Sequence, residues 1–275
     1  MANKSFYIFL YILYNMGMGI RICSLSSGSS GNCVYVSSEN TNLIIDAGIS
    51  PLRLNKCLKI FGAELQKTDV FITHTHSDHI KYLANIGEYC RNVYCAKASA
   101  NKLANCYLGD KLKILDSDIE IGDILVSHFE VSHDVPCVGY SFMHKSGKIS
   151  LATDLGIVDN VVLDTIIGSD LVMIESNHDK KMLMANEKYP SYLKKRILSD
   201  KGHLSNEATA NTALSLALSG TKQILLAHLS KENNTPQLAF NTVVANLEAN
   251  GIIEGKDISV EVALQDRLTG IYEIN

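Results

Sequence analysis

The stretch Phe71-Ile-Thr-His-Thr-His-Ser-Asp-His-Ile80 (FITHTHSDHI) sets three imidazoles and a carboxylate close together, directly after a strand-like apolar run. In extended backbone successive side chains alternate between faces, so His74 and His76 share one face, Asp78 continues it, and His79 points elsewhere. Neutral imidazole and carboxylate are ligands that suit zinc, manganese or iron. Side chains diverging from one loop can serve two ions, which in a dinuclear centre stand about 3.5–4 Å apart and share a bridging oxygen. A lone histidine at a strand end is ordinarily a hydrogen-bonded structural residue; a cluster this dense is expected to bind metal.

A dinuclear centre needs more ligands than this loop offers. His133, in Val131-Ser-His-Asp134, closes a strand-like segment, and Asp134 is expected to orient its other ring nitrogen. Asp154, in Ala152-Thr-Asp-Leu-Gly156, lies just past another strand and is placed to bridge both ions, and His228, in Leu225-Leu-Ala-His-Leu229, ends a third. Taken singly, each reads as a structural polar residue. His128 and His144 fall within strand-like segments and are left outside the site.

The chain of 275 residues is 46% hydrophobic, which excludes intrinsic disorder and suffices for a large core. A net charge of −4 excludes a protein that coats nucleic acid through bulk charge, so any such binding needs a local patch. Seven cysteines without a CxxC pair read as reduced thiols of a cytoplasmic protein, not as disulfides or a cysteine zinc site. Phe6–Tyr14 (FYIFLYILY) follows Lys4 like a short signal-peptide core, but it is too short to span a bilayer and lacks a small-x-small cleavage pattern. It is read either as a segment packed on the domain or, the favoured reading, as an over-long start with initiation at Met16 or Met18. Residues 1–17 are accordingly expected to be an N-terminal extension outside the native chain, and 18–275 a single domain. No stable membrane association is expected.

Strands are expected at Ile20–Leu25, Cys33–Val36, Leu43–Ile45, Val70–Thr73, Ile124–Glu130, Val138–Met143, Ile149–Ala152, Leu171–Glu175 and Ile224–Ala227. Helices are expected over Leu52–Phe61, from Asp78 or His79, and over Ala98–Tyr107. A further helix follows Ser205 as N-cap and ends before Gly220, with Ala210, Ala213, Leu214, Ala217 and Leu218 on one face. Another opens on Thr235-Pro236 and stops near Gly251. Strands and helices mixed throughout, with histidines repeatedly following apolar strands, fit a layered α/β architecture with function at strand ends.

In their order, FITHTHSDHI, VSHD, ATDLG and LLAHLS resemble the metallo-β-lactamase fold of hydrolases, from about Ile20 to the C-terminus. Ser26-Ser-Gly-Ser-Ser-Gly-Asn32, Glu175-Ser-Asn-His-Asp179, Gly202-His-Leu-Ser-Asn206 and His228-Leu-Ser-Lys-Glu-Asn-Asn234 are similar to the WalJ (YycJ-like) exonuclease family. The resemblance implies an α/β (α+β) fold, a four-layer αββα sandwich with metals at one edge. It implies two divalent ions, zinc foremost with manganese or iron as alternatives: His74, His76 and His133 on one, Asp78, His79 and His228 on the other, Asp154 bridging. Zinc β-lactamases commonly carry cysteine where Asp154 stands; aspartate there resembles the phosphodiesterase, nuclease and thioesterase branches.

Two divalent ions bring +4 and Asp78 and Asp154 return −2, so with a hydroxide added about +1 remains, which favours an anionic substrate. His203, in Gly202-His-Leu-Ser-Asn206, precedes a helix whose N-terminal amides favour phosphate. It is placed to bind phosphate or protonate a leaving oxygen, with Ser205 nearby; the bland alternative is an N-cap turn. Asp78 and His203 are the catalytic candidates, and Asn177, His178, His203 and Ser205 the substrate-binding ones. Ser26–Asn32 reads as a hairpin turn or a phosphate-touching loop without a Walker lysine. Lys194, Lys195, Arg196 and Lys201 are either a solvated face or a track for a polyanion. The function expected is a dinuclear phosphodiesterase on nucleic acid, and the resemblance implies a 5′→3′ double-stranded DNA exonuclease linked to DNA repair. A hydrolase of small phosphodiesters or thioesters and a non-catalytic, metal-stabilised nucleic-acid-binding protein are the competing readings.

Overall fold

The structure, a computed structural model, describes residues 19–275. The proposed extension at 1–17 and the start at Met16 or Met18 lie outside the described residues. Two seven-stranded sheets face one another. The first comprises β1 (Ile20–Ser26), β2 (Cys33–Ser37), β3 (Asn42–Ile45), β4 (Asp69–Ile72), β5 (Val93–Ala96) and β6 (Leu112–Leu115), with β14 (Tyr272–Ile274) beside β1. The second runs β13-β12-β11-β10-β9-β8-β7, where β7 is Ile119–Ile121, β8 Ile124–Val131, β9 Cys137–His144, β10 Gly147–Ala152, β11 Leu171–Glu175, β12 Gln223–Ala227 and β13 Ser259–Val262.

The central strands are apolar on both faces, and the period of two sends alternate residues into different cores. Ile20 and Ile22, Val34 and Val36, Phe71, Leu171 and Met173, and Leu225 meet between the sheets. Their neighbours turn outward under helices. Cys23, Leu25, Tyr35, Val70 and Ile72 pack on Leu54 and Leu58 of α1 (Pro51–Ile60), with Ser77–Ile80 (α2), Leu83–Gly87 (α3) and Lys97–Leu103 (α4) on the same side. Val172, Ile174, Ile224 and Leu226 pack on Val162 and Ile166 of α5 (Asn160–Ile166), Ala213 and Leu216 of α8 (Asn206–Leu218), and Val243 and Leu247 of α9 (Pro236–Ala249). The short α6 (Lys180–Ala185) and α7 (Ser191–Ile197) precede α8. Three apolar layers make the four-layer αββα sandwich that the sequence implies.

Elements agree with the sequence to within a residue or two, except that the helix expected to reach Tyr107 stops at Leu103, where a 3-10 turn, Ala104–Cys106, follows. Ser205 caps α8 by accepting from the Ala208 amide, and Thr235 caps α9 by accepting from Leu238, with Pro236 at its start. β5, β6, β7, β13 and β14 carry no signal that the sequence reading used; several are strands of three or four residues at sheet edges.

What positions the site is the parallel half of each sheet. β3 and β4 run parallel, as do β10, β11 and β12. Their C-terminal ends therefore coincide, and the segments that follow, at Asp46, His74, Asp154, Glu175 and His228, emerge at one edge of the sandwich. Asp46, Asp154 and His228 each adopt the left-handed region there, at φ of 65°, 60° and 54°. Such backbone strain persists only where surrounding structure over-determines it, and it collects at functional sites.

Candidate metal centre

All seven residues expected as ligands converge at that edge. Ligand-capable atoms of His74, His76 and His133 lie within 4.8 Å of one another; so do those of Asp78, His79 and His228, and those of His74, His79 and Asp154, which join the first two groups. Nε2 of His79 stands 3.3 Å from Asp154 Oδ2 and 3.5 Å from Asp78 Oδ2, and Nε2 of His228 stands 3.6 Å from Asp78 Oδ2. His128 and His144 stay outside these groups, His144 bonding through Nδ1 to Ser146 Oγ at 2.9 Å.

Four of the imidazoles are tethered at one nitrogen by a group outside the seven expected ligands, although one of these, Glu175, also has a ligand-capable atom within 4.8 Å of those of Asp154, His203 and His228. His79 Nδ1 lies 2.7 Å from Asp46 Oδ2, His228 Nδ1 2.7 Å from Glu175 Oε1, His74 Nδ1 3.0 Å from Thr73 Oγ1, and His133 Nδ1 3.3 Å from the Gly202 carbonyl. This outer ring of partners is what orients metal-binding histidines and fixes their tautomers. The expectation that Asp134 orients the second nitrogen of His133 is corrected by the geometry: Gly202 does so. Asp134 Oδ1 sits instead 3.3 Å from His133 Nε2 and 3.2 Å from His76 Nε2.

The donor set fits divalent metal. Nε2 of His74, Nε2 of His228 and Oδ2 of Asp154 are buried without a hydrogen-bond partner, an arrangement that costs free energy unless something else satisfies them. Burial pulls the imidazoles of His74, His76 and His133 below their ordinary range, which keeps them in the neutral form that binds metal. In the second group burial acts the same way but is outweighed. Asp154, with bonds to Asp78 and Glu175, raises His228 to about 10, while Asp46 and Asp154 hold His79 well above its usual value. Burial would raise Asp78 and Asp154, yet His228 and His79 hold both low. Carboxylates packed this tightly call for positive charge, which protons or metal ions can supply.

A cavity of about 230 Å³ opens over this floor and is lined by His76, Asp78, His133, Asp154, His203 and His228, with Asn177 beside them. His203 is one-fifth exposed, and its Nδ1 donates to Glu175 Oε1 at 2.8 Å. Burial lowers its pKa, but the Glu175 charge and hydrogen bond outweigh that and raise it. Asn177 Nδ2 donates to the His228 carbonyl. His178 and Ser205 are not brought to the cavity. Ser205 is buried and caps α8, and His178 is buried behind it, joined to Ser205 by a backbone bridge.

Sequence reasoning missed Glu175, Asp46 and Asn32. Glu175 is fully buried; its Oε1 meets His203 and His228 while its Oε2 accepts from the amides of Leu155 and Leu204. Asn32 Nδ2 lies 3.1 Å from Asp78 Oδ2 and 2.9 Å from His79 Nε2, so the Ser26–Asn32 loop braces the histidine cluster. Both acids follow the same rule as the expected ligands, a polar residue where a buried strand ends, and that was the available signal.

Residues 41–229 match the profile of the beta-lactamase superfamily domain. Exodeoxyribonuclease YycJ of Bacillus anthracis is 37% identical over 253 residues, covering 88% of this chain and 95% of that protein. Exodeoxyribonuclease WalJ of Streptococcus pneumoniae serotype 2 is 35% identical over 270 residues, covering 94% and 99%. Among solved structures, the metallo-beta-lactamase fold protein YhfI from Bacillus subtilis superposes with a TM-score of 0.69 at 14% identity, covering 93% of this chain and 99% of that one, a likeness of fold alone.

Proposed function

The chain belongs to the beta-lactamase superfamily, and we propose that within it this chain is a metal-dependent phosphodiesterase that shortens DNA, a 5′→3′ double-stranded DNA exonuclease linked to DNA repair. The reading includes two divalent ions, zinc first and manganese or iron as alternatives, and a single domain over residues 18–275. The observation that carries it is the pair of ligand groups joined through His79, His74 and Asp154 on the floor of a cavity that also holds His203, an imidazole beside Asp154 and His228 that is bonded to Glu175. Similarity to two exodeoxyribonucleases along nearly the whole chain supports DNA as the substrate. Seven free cysteines support a reducing, cytoplasmic setting, and among the described residues no helix is long and apolar enough to cross a membrane.

His74, His76 and His133 would hold one ion, Asp78, His79 and His228 the other, and Asp154 both. Bound there, divalent ions supply Lewis acidity and lower the pKa of water to about 7. The chain's own residues then do the following. Glu175 accepts from Nδ1 of His203, which fixes the ring and leaves Nε2 to carry a proton. The raised pKa keeps that proton available at neutral pH, so His203 can deliver it to the leaving oxygen of the cleaved ester. Asp46, Thr73, Gly202 and Glu175 hold the ligand imidazoles in place, so little reorganisation is needed when substrate enters.

The test incubates metal-loaded protein with end-labelled single- and double-stranded DNA and RNA and with small phosphodiesters and thioesters. Progressive shortening of duplex DNA from its 5′ ends, lost in His76→Ala, is the expected outcome. Turnover of small esters alone reassigns the chain as a small-molecule hydrolase, and DNA binding without cleavage makes it a binding protein.

A further inference from the structure

Tyr189, Leu193, Arg196, Ile197 and Lys201 form one wall of the cavity, with a composition that catalysis does not require. Leu193, Arg196 and Ile197 lie at helical spacing on one face of α7, Tyr189 stands just before its N-cap Pro190, and all four line the cavity above Asp154, His203 and His228, as does Lys201. The wall is locked to the catalytic loop. The amide of His203 donates to the Ile197 carbonyl at 3.0 Å, and a Cβ on Gly202 would stand 2.2 Å from that same oxygen. Arg196 is paired with Asp134, whose other oxygen faces His76, so the guanidinium is held at the histidine end of the cavity. Lys201 makes no ion pair among the described residues.

The charge balance gives these cations a task. The buried carboxylates of Asp46 and Glu175, bonded to His79 and to His228 and His203, add negative charge beneath the floor and reduce its attraction for a polyanion. Arg196 and Lys201 in the wall add positive charge where a polyanion would enter.

We infer that this wall is the nucleotide-recognition surface of the enzyme: the Tyr189 ring, flanked by Leu193 and Ile197, stacks on a base beside the scissile bond, while Arg196 and Lys201 take backbone phosphates. This rests on the DNA-cleaving reading above. Every base has a π-face, so the wall tolerates sequence, and phosphate contacts make binding weaken as salt rises. A small ester has no use for the aromatic platform.

The experiment compares full-length, metal-loaded wild type with Y189A, Y189F, R196Q, R196K and K201Q, on end-labelled DNA between about 50 and 200 mM salt and on methyl p-nitrophenyl phosphate. For Y189A the KM for DNA rises roughly tenfold or more while kcat changes little, and Y189F restores it. The slope of log KM against log salt shrinks by about one in R196Q and in K201Q and is retained in R196K. Wild-type KM and slope in every variant overturn the inference, and so does a Y189A whose kcat falls equally on both substrates with KM unmoved, which marks a structural role. If wild type hydrolyses the small diester but never shortens DNA, the DNA reading falls and this inference with it.

Discussion

Oε1 of Glu175 stands 2.8 Å from Nδ1 of His203, and the same oxygen stands 2.7 Å from Nδ1 of His228. One buried carboxylate thus orients both the His203 and the His228 imidazole. Burial would raise the Glu175 carboxyl, but the His203 and His228 rings bonded to it bring it down to about 2.

Glu175→Gln keeps the shape and removes the charge. Metal affinity at the second group should fall roughly 10–100-fold, and kcat should fall with it because His203 loses its proton stabiliser. Competition with a metal chelator reads the first effect. An unchanged metal affinity would show that Glu175 serves His203 alone.

His203→Ala should keep its full metal content and lose about 10²–10⁴-fold in kcat on DNA. A diester with a p-nitrophenolate leaving group, which needs no proton, should suffer much less. Metal loss in this variant would reassign His203 as a ligand.

Removing metal leaves His74 Nε2, His228 Nε2 and Asp154 Oδ2 buried and unpartnered. Saturating metal should therefore raise Tm by roughly 5–15 °C over the chelated protein. Calorimetry with and without chelator checks this, with His74→Ala expected to show a smaller shift. Equal Tm values would argue against any ion bound tightly at these residues.

His178 lowers acid stability. Burial, only partly offset by Glu175, lowers its pKa to about 4, and neither ring nitrogen has a partner. The unfolded chain takes up the proton near 6.5 and the folded chain does not. The contribution is therefore fully present above about 6.5 and is lost as pH falls towards 4, up to about 3 kcal/mol. Urea midpoints of metal-free protein should decline less steeply across this window in His178→Gln. Identical slopes would mean that the ring is already protonated or hydrated in the fold.

The sequence by itself determined the layers and marked the side chains that gather at one edge. Strands apolar on both faces announce burial between two partners, and His74, His76, Asp78 and His79 stand close enough in the chain for spacing alone to mark them. Strand ends bearing His133, Asp154 and His228 completed the set once a family resemblance gave them an order. Tertiary structure alone decided what braces those side chains and which residues line the cavity. Glu175 reaches His203 across 28 positions and His228 across 53, and Asp46 reaches His79 across 33. A carboxylate at a strand end looks the same in sequence whether it binds metal, braces a histidine or caps a helix. The same holds for Ser205 and His178, which sit in a promising motif yet are turned into the fold by the packing of α8. Spacing records local geometry; partnership across the chain depends on which strand ends the two sheets bring to one edge.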